Sequence, residues 1–125
     1  MNIELMNWTA VVVGTIAAFG LGMIWFSPKM FGKSWAEGSH NIQPPASPPF
    51  TAMIIQFVGL AILALVVGIT ATGEALFTAI GAIMAVALIV AGMDLFGQKS
   101  GKATVIDAGY IVASGALMIL AQGVL

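Results

Sequence analysis

Four long apolar runs separated by three polar connections set the pattern of this chain. The first, about residues 8–26, contains Val11-Val12-Val13 and Gly20-Leu21-Gly22. It stops at Ser27-Pro28, where the proline ring prevents a helix from continuing. The others cover about residues 50–69, 74–96 and 104–124. About 20 apolar residues cross a bilayer core as a helix, so each run is long enough for one span. The longest polar stretch, residues 27–49, carries Trp35, Glu37, His40, Asn41, Pro44, Pro45, Pro48 and Pro49. Its prolines favour extended backbone, and Ser47-Pro48 suits a helix N-cap followed by proline at the first helical position. Thr70–Gly73 and Gly97–Lys102 form short turns, with Glu74 expected in the first turn of the third span. Thr104-Val105-Ile106-Asp107 has the form of a capping box opening the fourth. The pattern predicts an all-α integral membrane protein: one domain over residues 1–125, four transmembrane helices in an up-down bundle.

Charge orients that bundle. All four lysines lie in two connections, Lys29 and Lys33 in one, Lys99 and Lys102 in the other. Short loops rich in Lys or Arg stay on the cytoplasmic side, and both loops follow odd-numbered spans. The expected topology therefore has 27–49 in the cytoplasm and both termini on the non-cytoplasmic side, beside Glu4 and Glu74. Residues 1–8 contain no lysine, so the first span reads as retained and not as a cleaved signal. Trp8 and Trp25, near the two ends of that span, fit interfacial belts.

Composition narrows the function classes. Only 7% of residues are charged, and mean hydropathy is +1.07; soluble domains carry about a quarter charged residues. A net charge of −1 and the absence of arginine argue against a nucleic-acid surface. The lack of cysteine removes thiolate metal sites and cysteine nucleophiles. One histidine, His40, with Glu37 does not make a metal centre, and the scattered methionines form no copper motif. No nucleotide loop, nucleophile elbow or zinc-protease pattern is present. The expectation is a non-enzyme with no cofactor and no metal.

The chemistry left is polar side chains near the lysine loops. Asp94 and Asp107 flank one short turn, so antiparallel helices would bring both carboxylates to one depth. They read either as a proton- or cation-binding pair or, for Asp107, as a helix-start residue paired with Lys99 or Lys102. Gln56 and Tyr110 lie about two turns into the second and fourth spans and share a slightly greater depth, with Thr15 or Ser114 as further polar neighbours. Small residues at four-residue spacing, Gly14/Ala18/Gly22, Gly81/Ala85 and Gly109/Ala113, allow close helix approach within a bundle or between copies.

Trp25-Phe26-Ser27-Pro28 followed by Phe31-Gly32-Lys33-Ser34-Trp35 resembles the opening signature of a family of small bacterial four-pass membrane proteins, domain of unknown function 1761. Asp107-Ala108-Gly109-Tyr110 resembles its second signature, an Asn-Ala-Gly-Tyr-like segment opening the last helix, with aspartate standing where asparagine is expected. The resemblance spans nearly the whole chain and implies a multi-pass protein of the bacterial inner membrane. It implies no activity, substrate or catalytic residue. Both signatures map to the lysine side, so Trp25, Lys33, Trp35, Gln56, Asp94, Asp107 and Tyr110 are the expected polar cluster. The leading expectation is a self-associating channel, transporter or binding protein for a small solute or ion, with lipids and other copies as partners. The alternative is a non-catalytic subunit of a larger respiratory, photosynthetic or transport complex.

Overall fold

The computed structural model describes residues 1–125 and consists of helices and the turns between them. A 3-10 turn, Ile3–Leu5, precedes α1 (Trp8–Trp25), α2 (Gly32–Gly38), α3 (Phe50–Thr72), α4 (Leu76–Phe96) and α5 (Gly101–Val124). Helices α1, α3, α4 and α5, of 18, 23, 21 and 24 residues, are long and apolar enough to cross a membrane. They run alternately up and down, as a multi-pass membrane protein requires. Helix α2 is too short to span and lies in the polar 27–49 connection, ahead of its proline cluster.

The starts of the helices differ from the sequence expectation for local reasons. Helix α5 begins at Gly101, a turn earlier than expected, because the Ser100 hydroxyl oxygen accepts from the Ala103 amide at 3.0 Å. The capping box is therefore not formed. Thr104 Oγ1 instead donates to the Ser100 carbonyl at 2.9 Å, and Asp107 turns away from the helix start. Ser47 does not cap α3, which follows Pro49. A residue before proline is disfavoured in helical backbone, so Pro48 cannot open a helix while Pro49 follows it. Glu74 lies before α4, in the turn, with φ of 51°.

Both short turns reverse the chain in the same way. After α4 the Gln98 amide donates to Leu95 and the Lys99 amide to Asp94, both at 3.0 Å, with Gln98 left-handed at φ 61°. After α3 the Glu74 and Ala75 amides donate to Ala71 and Thr70 in the same arrangement. These are Schellman reversals in which a glycine, Gly97 or Gly73, precedes the left-handed residue.

Helix α5 packs on α1, α2 and α4, and α3 closes the ring between α1 and α4. Close approach relies on small residues. A Cβ at Gly14 would meet Met118, and one at Gly68 would meet Val11 and Met6. One at Gly115 would lie 2.6 Å from Ile83 Cγ1. Around these contacts Val11, Leu60, Ala64, Val67, Ala79, Ile83 and Met118 form the core. No residue of 50–59 on α3, and none beyond Ala87 on α4, is buried. The α3–α4 side is thus open toward the lysine loops, while α1, α2 and α5 stay packed there through buried Ala103, Thr104, Ile106 and Tyr110.

Candidate functional site

Splaying of α3 from α1 and α5 leaves a cleft of about 570 Å³ at the lysine end. Its lining follows helical spacing: Phe19, Gly22 and Met23 from α1 with Phe26 just past its end, Ala52, Met53 and Gln56 from α3, and Asp107, Tyr110 and Ile111 from α5. Val90 of α4, Pro49 and Trp35 of α2 complete the wall. At the inner end, Phe19 meets Phe57 edge to face, centroids 5.5 Å apart.

Helix α2 is held across this cleft. The chain reverses after α1 through Ser27, whose carbonyl accepts from the Met30 and Gly32 amides at 3.0 and 2.9 Å. Gly32 is required there, since a Cβ would strike the Phe26 carbonyl and Ser27. The Ser100 amide donates to the Gly38 carbonyl at 2.9 Å, and Gly38 sits directly against Ser100 and Ala103. Trp35 is thereby aimed inward: its indole donates to Asp107 Oδ1 at 2.8 Å while its ring packs edge to face on Phe26.

Three charged side chains gather at that point. The Lys99 ammonium lies 3.2 Å from Asp107 Oδ2, 3.7 Å from Asp94 Oδ1 and 5.3 Å from the Trp35 ring centroid. All three are mostly shielded, with side-chain exposures of 25% for Lys99, 12% for Asp94 and 14% for Asp107. The second oxygen of Asp94 is buried and has no hydrogen-bond donor. Two carboxylates thus share one ammonium, and the cluster carries net negative charge when all three are ionised. Lys99 is placed by the Schellman reversal, which folds its backbone over Asp94.

Tyr110 and Trp25 fix the α1–α5 contact beside the cleft. The Tyr110 hydroxyl donates to the Ala18 carbonyl at 2.7 Å, passing over Gly22, where a Cβ would lie 2.8 Å from the hydroxyl oxygen. Trp25 turns inward and donates to the Ile106 carbonyl at 2.9 Å, so it joins two helices and is not simply a belt residue. Tyr110 also packs on Phe26, centroids 5.4 Å apart.

Of the seven residues expected to cluster, Trp35, Gln56, Asp107 and Tyr110 line the cleft, while Trp25 and Asp94 support it from behind. Lys33 is exposed and makes no ion pair, because α2 turns Trp35 inward and Lys33 to the opposite side. Thr15 stays out of the site; it is buried and donates to its own helix at Val11. Ser114 is fully buried without a partner and does not reach the cleft. His40 Nε2 lies 2.8 Å from the Gly97 carbonyl in the loop layer, apart from any carboxylate pair. Sequence reasoning missed the apolar walls, Phe19, Met23, Met53 and Ile111. The i, i+3, i+4, i+7 series from Phe19 to Phe26 was the available signal.

No curated protein and no solved structure matches the chain. Residues 9–123 match the family described as protein of unknown function DUF1761, which takes in all four long helices and the site between them, and the chain belongs to that family.

Proposed function

We propose that the protein binds a small, largely apolar solute in the cleft at the lysine end, as a membrane-embedded binding protein or carrier. The carrying observation is the cleft itself: about 570 Å³, walled by Phe19, Met53, Phe26 and Ile111, with Gln56, Asp107, Tyr110 and Trp35 as its few polar groups. Ligand sites have this size and this mixture of apolar wall and sparse, convergent polar atoms. A continuous pore through one copy has less support, because Met118, Val67 and Ala64 fill the half nearer the termini. This reading, by the positive-inside rule, has the cleft open toward the cytoplasm of a bacterial inner membrane.

Fluorescence tests this reading directly. In a Trp8→Phe background, a brominated aromatic solute should quench Trp35 and Trp25 saturably. Ala52→Phe, which fills the cleft from an exposed wall position, should abolish the saturable component. Quenching that rises linearly and equally in both proteins would overturn the proposal.

A further inference from the structure

Building on the cleft reading, we infer that the occupant is a lipophilic monocation, and that Lys99 is its built-in competitor. The charge inventory argues this. Asp107 is the only charged residue on the cleft wall, and its carboxylate is shared between the Trp35 indole and the Lys99 ammonium. Asp94 adds a second carboxylate to the same ammonium, with one oxygen buried and unpartnered. The remaining lysines, Lys29, Lys33 and Lys102, are exposed and form no ion pair, so no other ammonium balances the cluster. An anion at this wall would face two carboxylates; a neutral solute would leave the imbalance in place. A cation, or a proton shared by the two carboxyl groups, corrects it.

The aromatic residues point the same way. Phe19, Phe26, Trp35 and Tyr110 surround the approach to Asp107, and the negative faces of such rings favour cations. Lys99 already uses this recognition, standing over the Trp35 ring and against Asp107 Oδ2. It reaches them from the α4–α5 turn, outside the cleft wall, whereas a ligand in the cleft would compete for the same carboxylate. A bound cation would weaken the hold of Asp107 on Lys99 and leave the ammonium to Asp94, 3.7 Å away.

Three four- or three-ring probes of similar shape separate charge from fit: radiolabelled tetraphenylphosphonium, neutral triphenylphosphine and anionic tetraphenylborate. Binding is measured on the detergent-solubilised full chain. Saturable binding of the phosphonium is expected, with the borate failing to compete. Asp107→Asn keeps an acceptor for the Trp35 indole and should weaken phosphonium binding by roughly tenfold or more. Lys99→Gln removes the competitor and should strengthen it by roughly tenfold. A misfolded protein cannot produce that second result, so the opposed signs guard against simple loss of structure. If the phosphonium and the neutral phosphine bind alike and neither responds at Asp107 or Lys99, the cation inference falls while the cleft reading survives. If no probe binds saturably and the brominated solute also fails, both fall.

Discussion

The two ends of this bundle are built from different materials. Toward the termini, helices meet through Gly14, Gly68, Gly115, Ala64 and Ala79, and the Cβ positions left empty are filled by Met118, Val11 and Ile83. Lipid tails are as apolar as these side chains, so association there depends on close van der Waals contact, which small residues permit. Toward the lysine loops the contacts are large and directional: two indoles, a phenol and an ion cluster, each using a hydrogen bond across helices. These contacts join α1, α2 and α5, where Ala103, Ile106 and Tyr110 are buried, while α3 contributes no buried side chain there. The lesson is a division of labour. The dense half holds the helices together, and that stability lets the other half keep a cleft open.

The largest expected effect tests the dense half. Gly115→Val should cost about 3 kcal/mol in reversible unfolding in mixed micelles, because the added methyls overlap Ile83. Combined with Ile83→Ala it should recover part of that loss, since the two sites share one contact. Equal additive losses would show that the Gly115–Ile83 contact does not set the helix spacing. Next comes the boundary between the halves. Tyr110→Phe removes the bond to the Ala18 carbonyl and should cost about 1 kcal/mol in the same assay, near the upper range for interhelical bonds in membrane proteins. The smallest stability effect belongs to the open half: Ala52→Phe should stay within about 0.5 kcal/mol of wild type while eliminating solute binding. A large destabilisation by Ala52→Phe would mean that α3 is packed at this end after all, and the contrast between the halves would collapse.

The spans were legible because lipid imposes one rule over about 20 residues at a time, and no tertiary knowledge is needed to see it. Clustering of Asp94, Asp107 and Tyr110 followed from the same logic, since a short turn between antiparallel helices leaves few places for them. Helix α2 was not legible. Seven residues are too few to form a stable helix alone, and its position depends on partners distant in sequence, Asp107 and Ser100. The start of α5 differs from the expectation because two local caps compete, Ser100 and Thr104, and the earlier one is used. Lys33 belongs to the expected cluster because its signature maps to the lysine side; the turn of α2 sends it away from Trp35. The cleft itself is a consequence of what α3 fails to touch, which no single helix pattern records.

The bond from the Ser100 amide to the Gly38 carbonyl has a mechanical meaning. It joins the two lysine-bearing connections, and the Trp35–Asp107 bond adds a second tie between α2 and α5. The two connections are thereby tied at one point, so a shift of either backbone there would pull on the other.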